Sequence, residues 1–513
     1  MKRTLTLSDR AAGVLLHPTS LPGRHGCGDL GPAAYEFVDF LAAAGVRWWQ
    51  MLPVGPPGLA NSPYAALSAF AGNAMLISLE RLVTDGLLDA ADSVPARGLP
   101  PDRVAYSVVT RYKHARLRKA FDRFVQRGGL KRRAFTQFCA AQSAWLDDHA
   151  LYTALRQAHG NAAWPEWPRD VRLRERAALR QARDTLRAAI DCERFVQFEF
   201  DRQWSALKKY ANTHGVGLIG DIPIFVAHDS SDVWSQRALF DLDAAGRPRT
   251  ISGVPPDYFS RTGQLWRHPH YAWRRHQATG FAWWIARFRR MQALFDAVRI
   301  DHFLGFNRVW AVPGRAQTAR RGKWVKTPGR ELFTALRRAL GRLEIIAEDL
   351  GLVTPEAAAL RDRCGFPGMR LLHFGFGPGN GPRYIQPHTF PRNCVVYPGT
   401  HDNETTVGWF AHLRQAAHKR RPAGTLSDYD RVLRYLGTDG RAIHWDMIRL
   451  ALSSPANTAI IPAQDLLGLG NEARMNTPAT TTGNWQWRLR PGRLTPTLAT
   501  RLREMTEAYD RER

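Results

Sequence analysis

Short apolar runs alternate with helical segments along most of this chain, and this alternation constrains the fold more than any other feature. Gly, Pro or polar residues bound each run, as is typical of β-strands. The predicted strands are residues 13–16, 46–52, 217–225, 297–301, 344–349, 369–374, 394–397 and 458–462. Helical patterns, such as AAYEFVDFLAAAG before the second strand, separate most of them. A βα order repeated in this way predicts an α/β fold, namely a (β/α)8 TIM barrel.

Polar side chains follow the apolar runs at the point where each predicted strand ends. Barrels of this kind place their active sites at the C-terminal ends of the strands, where side chains from different strands converge. These residues are His17, Asp221, Asp301, Glu348, His401 with Asp402, and Gln464 with Asp465. An ordinary structural strand would end in turn residues instead. The pattern therefore predicts a composite active site that is rich in carboxylates.

We expect residues 1–513 to form a single catalytic domain with two additions to the minimal barrel. Residues 80–209 have Arg, Ala, Leu and aromatic residues at helical spacing, which predicts a mostly helical insertion. Residues 251–273 are rich in Gly, Pro and aromatic residues without helical or strand periodicity, which predicts an irregular active-site loop. Only about 50 residues follow the last predicted strand, too few for a C-terminal β-sandwich domain.

The charge and the cysteines restrict the environment of the protein. The formal net charge is +26, and many of the basic residues lie at 111–133 and 169–194, where they alternate with apolar residues as on exposed helix faces. We therefore expect no specific nucleic-acid partner. The five cysteines are dispersed without a CxxC pair, which favours a reducing, cytoplasmic location. The apolar run at 11–16 is too short for a signal peptide, and no run is long enough to span a membrane.

Paired carboxylates at barrel strand ends are suited to cleavage of glycosidic bonds. That chemistry needs a protonated acid at the leaving oxygen and an ionised carboxylate as nucleophile or base. The alternative is a Mg²⁺ site. Arg299 argues against a metal, because it lies two residues before Asp301 on the same strand face and would repel a cation. No metal or cofactor is expected.

The sequence alone leaves the roles of several side chains open. Glu348 and Asp349 are adjacent, so only one of them can point into the barrel, and alternation alone does not choose between them. His302 and His401 adjoin carboxylates and could bind sugar hydroxyls or fill structural positions. Aromatic residues in loop-like contexts could stack on sugar rings or simply pack; they are Tyr64, Tyr258, Trp266, Trp409 and Trp485.

Other motifs are weak. The glycine-rich stretch at 375–381 lacks the features of a P-loop or a dinucleotide fingerprint, and it is interpreted as a flexible turn. His268, His270 and His276 lack the spacing of a metal site. No GxSxG nucleophile elbow is present in the sequence.

Four stretches resemble the signature regions of the α-amylase superfamily: GLIGDIPIF, DAVRIDHF, LEIIAEDLG and NCVVYPGTHDNET. Further stretches resemble glycoside hydrolase family 77, the amylomaltases or 4-α-glucanotransferases, across nearly the whole chain. They are GVLLHPTSLPG, NSPYAALSAFAGN, GVPPDYFSRTGQLW and MNTPATTTGNWQWR, which begin at residues 13, 61, 253 and 475.

The resemblance implies a set of roles at matching positions. Asp301 corresponds to the nucleophile, Glu348 to the general acid/base and Asp402 to the carboxylate that stabilises the transition state. The positions that bind substrate are Ser62, Tyr64, Asp221, Trp266, Arg299, His302, His401 and Asn484. The residues from Gly253 to Trp266 correspond to the family's flexible loop over the active site.

The implied reaction moves α-1,4-glucan segments by retaining double displacement. The donors would be maltooligosaccharides or starch or glycogen chains, the acceptor would be a sugar such as glucose, and neither a membrane nor a cofactor would take part. One alternative is a hydrolase or isomerase of the α-amylase superfamily. Another is a basic binding protein that uses an inactive barrel as a scaffold for glycogen-associated or nucleic-acid partners. The resemblance does not fix the chain lengths, the transfer-to-hydrolysis ratio, the cyclisation activity or the oligomeric state.

The sequence departs from the family pattern at five positions near the expected site. Leu304 stands where Arg is usual and Ala65 where Gln is usual, Arg267 and His268 replace Gly-Asn, and Ala479 replaces Gly. None of these is a catalytic acid. The departures bear on donor and acceptor preference rather than on the chemistry.

Overall fold

The computed structural model describes residues 6–256, 261–351, 353–376, 386–417 and 426–512. Its twelve strands are β1 Ala11–Leu15, β2 Trp48–Gln50, β3 Gly217–Pro223, β4 Thr250–Val254, β5 Gln264–Pro269, β6 Ala297–Asp301, β7 Arg308–Pro313, β8 Lys323–Lys326, β9 Ile345–Ala347, β10 Gly368–Leu371, β11 Cys394–Tyr397 and β12 Thr458–Pro462. Eight of them close into a parallel barrel in the order β1-β12-β11-β10-β9-β6-β3-β2. All eight predicted barrel strands therefore exist.

Helices cover the barrel and form its insertion. They are α1 Pro32–Ala43, α2 Leu79–Thr84, α3 Tyr106–Gln126, α4 Arg133–Ala158, α5 Arg169–Arg172, α6 Arg176–Thr185, α7 Arg187–Thr213, α8 Ser231–Ser235, α9 Trp273–Ala278, α10 Ala282–Leu294, α11 Gly329–Leu340, α12 Pro355–Cys364, α13 Thr406–Ala417, α14 Asp428–Leu436, α15 Ile443–Ser453, α16 Ala463–Leu466 and α17 Pro496–Ala508. Six of them, α2 to α7, occupy the stretch that was predicted to be a helical insertion.

The barrel strands are buried on both faces, as parallel strands between a filled interior and outer helices must be. Every residue of β1, β11 and β12 is buried. Tryptophans 48 and 49 of β2 are fully buried, and Trp49 Nε1 donates to the Leu16 carbonyl at 2.7 Å. In residues 463–512, which follow β12, the structure has two helices and no strand.

The prediction that residues 251–273 are irregular was wrong. Two strands, β4 and β5, pair antiparallel there and join β7 and β8 in a four-stranded sheet of order β5-β4-β7-β8. The sequence of these strands does not alternate regularly between apolar and polar residues, because the β4–β5 pairing contains a register shift and Pro269 ends β5. The tip between the two strands includes Tyr258, which lies outside the described residues, as does most of the stretch at 375–381.

No helix in the described ranges is long and apolar enough to cross a membrane.

Candidate active site

Arg299 joins two carboxylates at the ends of neighbouring barrel strands. In the β3–β6 register Asp221 lies beside Arg299, and Asp301 follows two residues later. Arg299 donates to Asp221 Oδ2 at 2.7 Å and to Asp301 Oδ1 at 3.0 Å. Burial opposes the charge on Arg299, but Asp221 and then Asp301 outweigh it and raise the pKa of the guanidinium well above its usual value. The charged arginine thus fixes the position of Asp301.

Glu348 follows β9, directly beside the end of β6. Its Oε2 accepts from the His302 backbone N–H at 2.7 Å, and its Oε1 accepts from the Leu350 backbone N–H at 3.1 Å. His302 has φ 54°, a left-handed conformation that is uncommon outside glycine. Burial raises the pKa of Glu348 to about 8, against the opposing effect of Arg299. This shift favours the protonated acid at neutral pH, beside the residue that follows Asp301.

The structure resolves the choice between Glu348 and Asp349 in favour of Glu348. Asp349 is buried on the other side of the strand, where Arg361 donates to its carboxylate and the Met369 backbone N–H donates to Oδ1 at 2.7 Å. Arg370 Nη1 lies 3.5 Å from Oδ2. Asp349 is thus a structural ion-pair partner, and its neighbour is the one available for chemistry.

Asp402 comes from the segment after β11, and a second segment holds it. Asn476 Nδ2 donates to Asp402 Oδ1 at 2.6 Å, and His401 Nε2 lies 3.4 Å from Oδ2. Arg474 donates hydrogen bonds to the backbone carbonyl oxygens of Asp402 at 2.6 Å and Asn476 at 2.7 Å. Sequence reasoning did not identify Asn476 or Arg474. The only available signal was their place in or beside the stretch MNTPATTTGNWQWR.

Tyr64 links the two sides of the site through its hydroxyl group. The hydroxyl donates to Asp221 Oδ2 at 2.7 Å and lies 2.8 Å from His401 Nε2. The Tyr64 ring stacks on His401 with centroids 5.3 Å apart, and Trp485 lies 5.7 Å away. Burial, followed by the Asp221 charge, raises the pKa of Tyr64 well above its usual value, so the hydroxyl keeps its proton. Tyr64 is thus a hydrogen-bonding residue as well as an aromatic surface.

Trp266 connects the four-stranded sheet to the site. Its ring meets His302 edge-on at a centroid distance of 4.8 Å, and Phe225 lies 6.5 Å from the same histidine. Burial lowers the pKa of His302 to about 4, so the imidazole is neutral at physiological pH. A neutral ring beside Asp301 can donate or accept a hydrogen bond from a sugar hydroxyl without adding a charge.

Ser62 and Asn484 have partners within their own loops. Ser62 Oγ accepts from the Tyr64 backbone N–H at 3.3 Å and so orders the turn that carries the tyrosine. Asn484 Oδ1 accepts from the Thr477 backbone N–H at 2.9 Å, and its amide donates to the Thr480 carbonyl at 3.1 Å. Sugar contacts of these two residues remain predictions.

Three other polar or aromatic residues have separate positions. Gln464 lines a cavity with His17 and His401 near the site. Asp465 instead accepts a buried hydrogen bond from the Thr406 backbone N–H at 2.7 Å. Trp409 stacks on His373 at 4.5 Å, so its ring packs against the protein.

Two of the departures from the family pattern coincide with unusual backbone. Arg267 and Ala479 both have φ 65°, in the left-handed region that favours glycine. Glycine is usual at both positions in the family that the sequence resembles. The chain keeps the glycine-like backbone and carries a side chain there.

Comparisons with known proteins show the family of the chain. A glycoside hydrolase family 77 model, described as 4-alpha-glucanotransferase, matches residues 16–495. A 4-alpha-glucanotransferase of Synechocystis sp. is 47% identical over 98% of this chain and 99% of its own length. The 4-alpha-glucanotransferase of Thermus thermophilus is 45% identical, with the same coverage of both chains.

A solved structure is similar over the same extent. The amylomaltase from Streptococcus agalactiae, in complex with acarbose, superposes with a TM-score of 0.92 at 38% identity and covers 98% of this chain and 99% of its own. The chain therefore belongs to glycoside hydrolase family 77, the 4-alpha-glucanotransferases, and is a glucanotransferase enzyme.

Proposed function

We propose that the protein transfers α-1,4-glucan segments by retaining double displacement, with Asp301 as nucleophile and Glu348 as general acid/base. The donors are maltooligosaccharides or starch or glycogen chains, and the acceptor is a sugar such as glucose. One observation carries the proposal. A carboxylate paired with a buried arginine, Asp301, lies beside an acid whose pKa burial raises to about 8, Glu348. Retaining glycoside chemistry requires a carboxylate nucleophile beside a proton donor.

In the first step an Asp301 carboxylate oxygen attacks C1 of the donor sugar. The bond between C1 and the glycosidic oxygen breaks, and Glu348 gives its proton to that oxygen. The products are a glycosyl ester on Asp301, an ionised Glu348 and a departing sugar chain with a free hydroxyl.

In the second step an acceptor hydroxyl attacks C1 of the ester. Glu348 takes the hydroxyl proton, the bond between C1 and Asp301 breaks, and both residues return to their starting states. Two inversions at C1 give net retention. The reverse proton transfer suits a group whose pKa lies near neutrality, because such a group both gives and accepts a proton readily.

We assign the remaining polar residues to binding and charge stabilisation at the reacting sugar. Asp402 faces positive charge that develops at the ring in the transition state, and Asn476 orients it. Asp221, His302 and His401 bind sugar hydroxyls, and Arg299 positions Asp301. Ser62, Tyr64, Trp266 and Asn484 line the binding groove.

Transfer exceeds hydrolysis only where the acceptor is oriented and water is excluded, and orientation is worth effective molarities of about 10⁵ M or more. We assign that task to residues 251–273, whose Trp266 contacts His302. We treat residues 1–513 as one catalytic domain, with residues 80–209 as its helical insertion. All five cysteines are free thiols, which supports a reducing, cytoplasmic location.

Incubation with maltotriose tests the proposal. A transferase releases glucose and builds longer maltooligosaccharides, while the total number of reducing ends stays nearly constant. A hydrolase of the α-amylase superfamily would instead raise the number of reducing ends without longer products, and that result would refute the transferase assignment.

A further inference from the structure

The four-stranded sheet beside the active site carries an unusual concentration of positive charge. From His302 to Arg330 inclusive the sequence has seven Lys or Arg residues and no Asp or Glu. We call the exposed cations of this region the basic sheet; they are Arg267, Arg315, Arg320, Arg321, Lys323 and Lys326.

The strand register separates the two faces of this sheet. Arg308 lies opposite Lys326, and Trp310 lies opposite Trp324, so these four side chains share one face. The alternate residues of β7, Val309 and Ala311, are buried. The face with Arg308, Lys326 and the tryptophans is therefore the outer one. Lys323 lies opposite Ala311 and is exposed at the edge of the sheet, because β8 is the edge strand.

A turn packs on the outer face and adds further charge to it. Ala319 forms a small apolar cluster with Ile251 and Val312 of the sheet. The same turn brings Arg315, Arg320 and Arg321 to the surface. Arg267 reaches the turn from β5, and its Nη2 donates to Gln317 Oε1 at 3.0 Å.

The cations of the basic sheet lack carboxylate partners in the ranges that the structure describes. None of the six forms an ion pair there with an N–O distance of 4.0 Å or less. Glu356 lies near Arg308 and Lys326, but its pKa is lowered more by hydrogen bonds from its own backbone N–H and from Thr354 than by those two cations. Asp257, in the tip between β4 and β5, lies outside the described residues.

Aromatic rings accompany this charge. The Trp324 side chain is 41% exposed, and its ring lies 5.3 Å from that of Trp310. The Arg308 guanidinium stacks over the Trp324 ring at 4.3 Å. Flat apolar rings suit the faces of sugars, and guanidinium groups suit phosphate oxygens.

We infer that the basic sheet binds α-glucan chains that carry phosphate monoesters, and that it thereby favours phosphorylated polymers as donors. The combination of rings and uncompensated cations fits a ligand that has both sugar faces and anionic groups. A glucan is favoured over other polyanions because the same sheet reaches the reacting end through Trp266, which contacts His302. The inference rests on the proposed function, since it concerns the donor of that reaction.

Binding of one polymer before and after removal of its phosphate tests the inference. The probes are a phosphate-bearing amylopectin and the same material treated with a phosphatase. The protein carries Asp301→Asn so that it does not reshape the polymer, and affinity electrophoresis measures dissociation constants. Three exposed ion pairs predict about tenfold tighter binding of the phosphorylated form at low salt. The preference should disappear in the triple variant R320Q/R321Q/K323Q and at about 0.5 M salt.

A matched control has the same change of charge elsewhere. The variant R176Q/R180Q/R183Q removes three exposed cations from α6, which likewise have no ion pair in the described ranges. It should keep the phosphate preference. Equal affinity for the two polymers, or an equal loss of preference in this control, would overturn the inference. Tighter binding of a single-stranded oligonucleotide through Arg320, Arg321 and Lys323 would also overturn it.

Maltotriose separates failure of this inference from failure of the proposed function, because it carries no phosphate. Protein with Asp301 intact that disproportionates maltotriose but shows no phosphate preference refutes only the role of the basic sheet. Protein that cannot transfer from maltotriose refutes the proposed function itself.

Discussion

The active-site cluster and the basic sheet are neighbours that use arginine in opposite ways. Arg299 is 3% exposed and contacts two carboxylates, whereas Arg320 and Arg321 are exposed and lack carboxylate partners in the described structure. A buried charge without a partner is costly, so burial enforces pairing and fixes geometry. Water and salt screen an exposed charge, which can then serve recognition. The contrast teaches that a buried arginine is suited to position reacting groups, while an exposed arginine is suited to select what reaches them.

The largest expected effect comes from removing the charge on Asp301. Asp301→Asn keeps the shape of the side chain but abolishes the nucleophile, so transfer from maltotriose should fall about 10⁴-fold or more. Chromatography of the products measures the loss. More than a tenth of the wild-type rate would show that another group carries the reaction.

Glu348 and Asp349 provide the second test, because adjacent carboxylates have different surroundings. Burial raises the pKa of Glu348 to about 8, so the acid is protonated below that pH and loses its proton above it. The wild-type kcat/KM should therefore fall as pH rises through about 8. Glu348→Gln should lower the rate at pH 7 by about 10³-fold and remove this limb.

Asp349→Asn is the matched control for that profile. It should keep the alkaline limb but lower the free energy of unfolding by about 2–4 kcal/mol, because Arg361 and Arg370 lose a buried counter-charge. Loss of the limb in this variant would mean that the two carboxylates have been assigned the wrong way round.

Replacing arginines in the active-site cluster and in the basic sheet compares how much each region contributes to the free energy of unfolding. Arg299→Met leaves Asp221 buried beside Asp301 without a cation, so the free energy of unfolding should fall by about 3–5 kcal/mol. The triple variant R320Q/R321Q/K323Q should change it by less than about 0.5 kcal/mol. Denaturant titration measures both. Similar losses in the two variants would remove the distinction between buried and exposed arginine.

Replacement of Asn476 should lower kcat more than it weakens substrate binding. Asn476→Ala removes a hydrogen bond to a carboxylate, which is worth about 1.5–3 kcal/mol, so kcat should fall about 10- to 100-fold. KM should change little if Asp402 acts mainly in the transition state. A rise in KM with unchanged kcat would place Asp402 in ground-state binding instead.

The smallest effect concerns the backbone of Arg267. Its φ of 65° is strained for arginine, so Arg267→Gly should raise the free energy of unfolding by up to about 1 kcal/mol. Arg289→Gly, at an exposed position inside α10, should lower it by a similar amount. Destabilisation by both changes would show that the side chain of Arg267 contributes more than its backbone costs.

The sequence predicted the barrel because each strand has a local apolar signal. Residues 297–301, 394–397 and 458–462 even have the predicted bounds. The β4 and β5 strands were not predicted because their antiparallel pairing contains a register shift and because β4 pairs with β7, which begins more than fifty residues after β4 ends. Neither strand alone shows alternation.

The site was predictable where chemistry follows a strand end and less so where it depends on packing. Motifs that resemble a family predict Asp301, Glu348 and Asp402 as the catalytic carboxylates, and these roles stay predictions. The orientation of Glu348 against Asp349 needed the structure, because alternation gives two equivalent choices. Asn476 could not be found from its own type or spacing, since its role arises only when its loop meets Asp402.

Trapping the glycosyl ester tests the central claim most directly. The variant Glu348→Gln is incubated with an α-glycosyl fluoride donor, whose leaving group needs no acid, so the first step proceeds while the second lacks its base. Mass spectrometry of proteolytic fragments then locates the sugar. We predict a glycosyl group on Asp301, released when a small external nucleophile such as azide replaces the acceptor. A glycosyl group on Asp221 or Asp402, or none on the protein while the donor is consumed, would contradict the assignment of Asp301.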